Sequence, residues 1–586
     1  MTLLLLAALQ PLPAPPATTA AAPGFADVAA TRGIAHDTAA RAQFIDVNAD
    51  GWLDVVIGGE PTRILLSTPS DDGGRRFVAA TAETGLGDRA HSMLLWGDVN
   101  NDAHLDAISI VSQNQAQHAE DPQTYALYLG DGRGHFARQS ACGLEQPRHS
   151  ATVGAVLADL DLDGRLDAAF GNQYDGEGLA AQPMRVFRGD GAGHFEDVTA
   201  AWGFPADASA PPGAPNAPRP LYGLTASDLD RDGFPELLGA AYGRQWNTLW
   251  RRSPEAAKYD DVAADAGVDA DAIRHGRYSD AVKTAHRQRG IERDDEPPFR
   301  TGGNTFSLVP ADFDNDGDFD LFSAEITHAW AGDSSDLSAL LVSRVADGGG
   351  LAFDRQIEVL DDPDPETARH DRPARGLARD HAGQSPSNWN QGDLQAHWAD
   401  LDNDGLLDLI VCESDYPQNR LRVFMQRADH TFAERSRELG LDWPNCPGVA
   451  IGDYDNDGDL DLLATGSTTR WPAARPTPAL ALFDNRLAPP ANGWLQVQLV
   501  GNGTTGNASA IGARLELTTS DGRTQTREAQ GPYGHWAAQS QPGLIHFGVG
   551  GAEPRRLTVI WPDVARTRTT IDAPAANQRL VVRQPG

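Results

Sequence analysis

The chain has 586 residues, with 82 Asp+Glu against 48 Lys+Arg, a formal net charge of −34 and 40% hydrophobic residues. That length exceeds one ordinary core and points to a repeat body or several domains, while the apolar fraction excludes wholesale disorder. The acid excess argues against nucleic acid or an anionic membrane as partner, because both reward clustered Lys and Arg. Sixty glycines and 39 prolines favour short strands and turns over long helices.

Residues 1–24 run from Met1-Thr2-Leu3-Leu4-Leu5-Leu6 through a Pro/Ala/Thr stretch to Ala20-Ala21-Ala22, similar to a secretory signal without its basic start. No apolar run in the chain reaches the roughly 18 residues of a spanning helix, so no transmembrane segment is expected. Three cysteines, Cys142, Cys412 and Cys446, form no disulfide framework and read as buried thiols.

From there a nine-residue pattern, Asp-x-Asp/Asn-x-Asp-Gly-x-x-Asp, recurs seven times. Its positions 1, 3, 5 and 9 are Asp46, Asn48, Asp50 and Asp54, then Asp98, Asn100, Asp102 and Asp106, then Asp159, Asp161, Asp163 and Asp167. The fourth copy has Asp228, Asp230, Asp232 and Glu236, and the fifth Asp312, Asp314, Asp316 and Asp320. The last two have Asp400, Asp402, Asp404 and Asp408, and Asp453, Asp455, Asp457 and Asp461. These nonamers hold 28 of the 82 acids, so the negative charge is organised.

An aromatic residue opens a strand-like stretch before each nonamer, at Phe25, Phe77, Phe136, Phe195, Tyr259, Phe353 and Phe432. Each unit reads as strand, acidic turn, strand, loop, strand, Gly turn, strand. Seven units of four short strands predict an all-β fold, a seven-bladed β-propeller over 25–488, with a linear solenoid as the alternative. The first unit supplies only the Phe25 strand and the last one Leu480-Ala481-Leu482-Phe483, an offset that lets the two ends share a blade.

Carboxylates at positions 1, 3 and 5 of a tight turn converge on one point, and Gly at position 6 permits the φ > 0 this requires. With the position-7 carbonyl and the position-9 acid they offer about six oxygens, which suits calcium better than magnesium. Without an ion, carboxylates ~4 Å apart repel by up to about 4 kcal/mol per pair. A single copy would pass for a solvated Asx turn, whereas seven copies in register with a strand repeat argue for several calcium ions, up to seven. A helix-flanked calcium hand is excluded by the absence of Glu at position 12, and tandem nonapeptide rolls by starts 52 to 88 residues apart. The copies at Asp312 and Asp453 carry five acids and are expected to bind tightest. The copy at Asp98, with Ala103 in place of Gly, is expected to be weakest.

These nonamers closely resemble the FG-GAP/VCBS repeats of integrin α-chain propellers and many secreted bacterial proteins. The resemblance covers roughly residues 25–488 and implies calcium held by the position-1, -3, -5 and -9 side chains on one face of the ring. Residues 489–586 carry Asn492-Gly493-Trp494-Leu495-Gln496-Val497, Ala510-Ile511-Gly512-Ala513-Arg514-Leu515, His546-Phe547-Gly548-Val549-Gly550 and Val559-Ile560-Trp561-Pro562. This segment resembles the ASPIC/UnbV domain of the cartilage acidic protein-like family, and reads as a small β-rich module docked beside the ring. His535, Trp536, His546 and Trp561 read there as core residues, with a site as the alternative.

Loops on the face opposite the acidic turns bring aromatics beside Arg, Asn and Gln. Tyr174, Trp246, His328, Tyr416 and Trp471 are the candidate ligand-binding residues, facing a protein or glycan partner. The expectation is an exported, extracellular or periplasmic, calcium-binding adhesion scaffold. The alternative is a propeller hydrolase or lyase, its site lidded by the insertions Asp269–Arg300 and Asp361–Gln391. No catalytic spacing of the familiar kinds occurs in the sequence, so no catalytic residue is assigned.

Overall fold

Every acidic nonamer joins two antiparallel strands, and each such pair is the inner half of a four-stranded sheet. The structure, a computed structural model, describes residues 24–34, 41–59, 62–89, 91–111, 123–145, 152–174, 181–214, 216–253, 256–328, 331, 335–345, 348, 350–356, 390–414, 416, 419–467, 480–487 and 491–586. Blade 1 runs Arg41–Ile45, Asp54–Gly58, Arg63–Pro69 and Arg75–Ala79. The inner strands of blades 2 to 7 are Met93–Gly97, Thr152–Ala158, Leu221–Ser227, Thr305–Ala311, Asn390–Ala399 and Val449–Gly452. Blade 7 takes its fourth strand from the other end of the chain, where Phe25–Asp27 pairs with Ala481–Asn485. The fold is thus a seven-bladed β-propeller closed on its own N-terminal strand, as the offset in the repeat predicts.

Seven hydrophobic clusters, one at each junction between blades, hold the ring together. Between blades 2 and 3, Leu95, Ile108 and Tyr125 pack against Leu157, Phe170 and Phe187. At the closing junction, Phe44 and Val55 meet Tyr454, Leu463 and Leu482. The repeated aromatics Phe25, Phe77, Phe136, Phe195, Tyr259, Phe353 and Phe432 all lie on outer strands and are buried in these seams. Each such side chain contributes about 1.5–3 kcal/mol by leaving water.

The C-terminal segment is a sandwich of two sheets. Gly493–Val500 lies between Leu544–Gly550 and Gln578–Arg583, the latter parallel to it. Facing it, Arg514–Thr519 lies between Thr524–Glu528 and Pro554–Ile560, and Arg568–Asp572 completes that sheet. Leu495, Val497, Leu515, Phe547, Val559 and Trp561 fill the space between the sheets.

Its placement corrects the expectation of a module beside the ring: it lies over the face that carries the acidic turns. Arg523 Nη1 donates to Asp404 O at 2.8 Å, Arg579 Nη1 to Gly51 O at 3.1 Å, and Gln496 Nε2 to Asp453 Oδ2 at 2.7 Å. The backbone N–H groups of Asp46, Asp98 and Asp228 donate to Gln541, Ser509 and Glu528 of this cap. The physical reason is charge. The cap brings Arg514, Arg523, Arg527, Arg566 and Arg579 to a face crowded with carboxylates.

Residues 531–541 leave the cap and enter the channel as a plug. Gly534–His535 is a two-residue strand inserted between the inner strands of blades 3 and 4. His535 O accepts from Gln395 Nε2 at 2.6 Å, Trp536 N donates to Val153 O at 2.8 Å, and Gln539 exchanges two hydrogen bonds with the Trp96 backbone. Gly223 makes the insertion possible, since a Cβ there would lie 2.3 Å from Phe306 O and 3.0 Å from Gly534 C. With Ser307, Ser540 on Ile451, and Gln541 on Asp46, the plug touches the inner side of all seven blades.

Candidate functional sites on the two faces of the ring

On the capped face the seven nonamers share one backbone. Position 4 is left-handed in every copy, with φ from 55° at Ala49 to 63° at Arg231, and position 6 is left-handed too, at φ 92° for Gly317 and 69° for Ala103. The position-1 carboxylate accepts the position-6 N–H, as in Gly51 N to Asp46 Oδ2 at 2.8 Å and Gly405 N to Asp400 Oδ2 at 2.7 Å. The position-9 carboxylate ties the turn to its blade. Asp408 accepts from Leu401 N at 3.0 Å and from Gln426 N on the third strand at 2.8 Å.

Five copies bring three carboxyl groups within 4.8 Å of one another: Asp159, Asp161 and Asp167; Asp228, Asp230 and Glu236; Asp312, Asp314 and Asp316; Asp400, Asp402 and Asp404; Asp453, Asp455 and Asp461. Among the described residues the buried oxygens Asp161 Oδ1, Asp314 Oδ1, Asp320 Oδ2 and Asp455 Oδ1 have no hydrogen-bond partner. Burial, then the neighbouring Asp404 and Asp402, pushes Asp400 up to about 8, and burial pushes Asp312 up to about 6. Burial, then Asp457 and Asp453, raises Asp455 to about 7. Crowded, desolvated carboxylates with spare lone pairs fit a hard divalent cation.

The copies fall into three kinds. Among the described residues no side-chain cation pairs with positions 1, 3, 5 or 9 of the turns at Asp312, Asp400 and Asp453. In the turn at Asp159, Arg188 bridges Asp161 at 2.8 Å and Asp163 at 2.5 Å, and in the turn at Asp228, Arg251 reaches Asp230 at 2.5 Å. In the first two turns the amides of Asn48 and Asn100 donate to Asp50 at 3.2 Å and Asp102 at 2.9 Å, which satisfies the position-5 acid internally.

Position 4, which the nonamer pattern leaves free, carries a second role. Its side chain donates to the position-6 carbonyl of the next turn: Asn101 to Gly164 at 3.1 Å, Asn315 to Gly405 at 3.3 Å, Asn403 to Gly458 at 3.1 Å, Asn456 to Gly51 at 3.3 Å, and Arg231 to Gly317. The two interruptions fall at Ala49 and Leu162, which have no donor. The recurrence of Asn at this position is the sequence signal that finds the contact, because Asn both tolerates αL and donates.

On the far face, four of the five candidate ligand residues are described; Trp471 and most of the 361–391 insertion lie outside the described residues. Tyr174 meets Tyr242 edge-on at 6.4 Å, and His328 meets Tyr416 at 5.2 Å. Trp246 is apart from both pairs. Its indole N–H donates to Thr301 at 3.0 Å, so it anchors the 269–304 insertion. Glu296 of that insertion gathers Arg300 at 2.8 Å, Arg244 at 3.2 Å and the Tyr278 hydroxyl at 2.6 Å. Sequence reasoning missed Tyr222, which lies 4.5 Å from Tyr242 of the Tyr242–Trp246 loop, and the way the plug continues their row. His535 lies 5.9 Å from Tyr222 and 4.4 Å from Trp536.

Comparison with known proteins fits this architecture. Residues 46–109 and 387–464 match the FG-GAP-like repeat, and residues 503–586 match ASPIC and UnbV. Cartilage acidic protein 1 of Xenopus tropicalis is 30% identical over 172 residues, 28% of this chain and 25% of that protein, so the match spans about a quarter of the relative. Among solved structures, BBS1N in complex with ARL6DN is similar at a TM-score of 0.37 and 7% identity, over 79% of this chain and 97% of that one. The V. cholerae biofilm matrix protein Bap1 is similar at 0.27 and 10%, over 74% and 61%. The chain carries FG-GAP-like repeats and a C-terminal ASPIC/UnbV domain.

Proposed function

We propose that this protein is an exported, calcium-stabilised binding scaffold whose far face takes a protein or glycan ligand. The observation that carries the reading is the set of buried, partnerless carboxylate oxygens in turns that already crowd three acids together. Asp312, Asp314, Asp316 and Asp320 would hold one ion, and the corresponding residues of the turns at Asp159, Asp228, Asp400 and Asp453 one each. Calcium supplies the positive charge that the turns at Asp312, Asp400 and Asp453 lack, and adds to that of Arg188 and Arg251 at the other two. Arg523, Arg579 and Gln496 join those turns to the cap, so ordering the turns also orders the cap and plug. Millimolar extracellular calcium fills sites of modest affinity, which supports export.

The test is elemental analysis of protein purified in calcium, paired with thermal unfolding in calcium and in EDTA. Stoichiometric metal and a large fall in Tm on chelation are expected; metal-free protein with an unmoved Tm would end the reading. Ligand capture is expected without turnover. Turnover of a hydrolase or lyase substrate, lost on a single His or Glu substitution in the 269–304 insertion, would replace the scaffold by an enzyme.

A further inference from the structure

The plug does not fill the channel evenly. It pairs with blades 3 and 4 and leaves a hollow of about 30 Å³ toward blades 1, 2, 6 and 7, lined by Arg41, Ser92, Gln395, Val449 and Trp536 among others. That is room for one group the size of a carboxylate. Arg41 Nη1 donates to Ser92 O at 2.6 Å, the guanidinium lies 4.1 Å over the Trp536 ring, and Nε is buried with no hydrogen-bond partner among the described residues. Arg41 forms no ion pair among the described residues, in a chain with 34 more acids than bases. Burial pushes its guanidinium down to about 10, the mark of a cation lacking a counter-ion.

The tip that brings Trp536 beneath Arg41 is strained. Trp536 at φ 57° and Ala537 at φ 50° are successive L-residues in the left-handed region, which costs about 1–2 kcal/mol per residue. Strain of this kind persists where the surroundings hold it, and here it fixes one indole at the mouth. From Trp536 the row runs through the buried His535 to Tyr222, Tyr242 and Tyr174, and Trp536 and the three tyrosines are half-buried. The acidic turns lie at the other end of inner strands about 15–20 Å long, beyond the screening length of about 8 Å at physiological salt.

We infer that the far mouth binds a uronate-type saccharide, its carboxylate seated in the hollow against Arg41 and its sugar rings on the row from Trp536 to Tyr242. Arginine receives a carboxylate through its N–H donors, and the C–H groups of a sugar pack against the parts of these half-buried rings that remain accessible. The inference rests on the proposal that the far face takes a protein or glycan ligand; it chooses the glycan and adds its charge preference.

The experiment is calorimetry in saturating calcium with a trisaccharide ending in glucuronate and the same trisaccharide with that carboxyl reduced to the alcohol. The intact protein is expected to bind the acid 10–100-fold more tightly than the neutral form, as roughly one charge-assisted pair provides. Arg41→Gln is expected to bring the acid down to the neutral level and leave the neutral form unchanged, while Tyr242→Ala weakens both. Equal binding of the two saccharides to the unaltered protein, a comparison that needs no variant to fold, would overturn the carboxylate inference and leave the glycan surface standing. Binding of neither at millimolar concentration would remove both.

Discussion

The turns at Asp312, Asp400 and Asp453 and the turns at Asp46 and Asp98 have the same backbone and different electrostatics. In the first group the position-3 side chain is a carboxylate, and in the turns at Asp312 and Asp453 the oxygens Asp314 Oδ1 and Asp455 Oδ1 are buried without partners among the described residues. In the second, one amide at position 3 supplies the missing donor, and Asn48 and Asn100 close the turn on themselves. The exchange of one oxygen for an NH₂ group therefore separates a turn that keeps unpaired acceptors from one whose position-5 acid is paired internally. A shared fold motif says where a site is; the hydrogen-bond ledger of its oxygens says whether it requires filling.

The widest test of this difference is complete chelation. EDTA is expected to lower Tm by about ten degrees or more, and metal analysis to return five ions; seven would erase the distinction between the two groups. Next in size is a single-site comparison. Asp314→Asn is expected to lose one ion and about 2–3 kcal/mol of stability measured by urea unfolding in calcium, whereas Asp50→Asn shifts it by less than about 0.5 kcal/mol.

A pH series sharpens the contrast further. Asp312, Asp455 and Asp400 have folded values raised to about 6, 7 and 8, so their contribution to the metal-free protein is present below the unfolded value near 3.9 and is lost as pH climbs through 6 to 8. On the proposed reading calcium offsets that loss, so the difference in Tm between calcium and EDTA is expected to grow from pH 5 to pH 8. His397, His535 and His546, lowered by burial to about 4, 3 and 3, act in the opposite sense. Their contribution is complete above the unfolded value near 6.5 and is lost as pH falls below it, so the calcium-loaded protein is expected to weaken below pH 6.5. The smallest effect concerns position 6. Gly317→Ala is expected to cost about 1–2 kcal/mol, and Ala103→Gly to gain up to about 1 kcal/mol, read from denaturant midpoints.

The ring was legible because its determinants are local and repeated. The aromatics at Phe77, Phe136 and Phe195 mark outer strands, each nonamer marks an inner hairpin, and the offset between Phe25 and Phe483 foretells the shared blade. The cap's position was not legible. Gly531-Pro532-Tyr533-Gly534-His535-Trp536 looks like a turn beside an aromatic core, and nothing periodic in it announces pairing with strands more than 300 residues away. The arginines at 188 and 251 recur at similar places on third strands, but only the fold reveals that they lie against position-3 acids. Tyr222 went unread because it sits near the start of a strand and gains significance only from its neighbour Tyr242.

The hydrogen bonds that run from each position-4 side chain to the next turn give the ring a direction and two breaks. From Asp228 onward the turns are linked in series through Arg231, Asn315, Asn403 and Asn456 to Gly51, while Ala49 and Leu162 isolate the short pair made by Asn101 and Gly164. Loosening one member of the long series frees the carbonyl that its neighbour grips. On the proposed calcium reading, slow chelation is expected to proceed in two stages, with the turns from Asp228 to Asp453 releasing metal as a cooperative block and the turn at Asp159 on its own schedule.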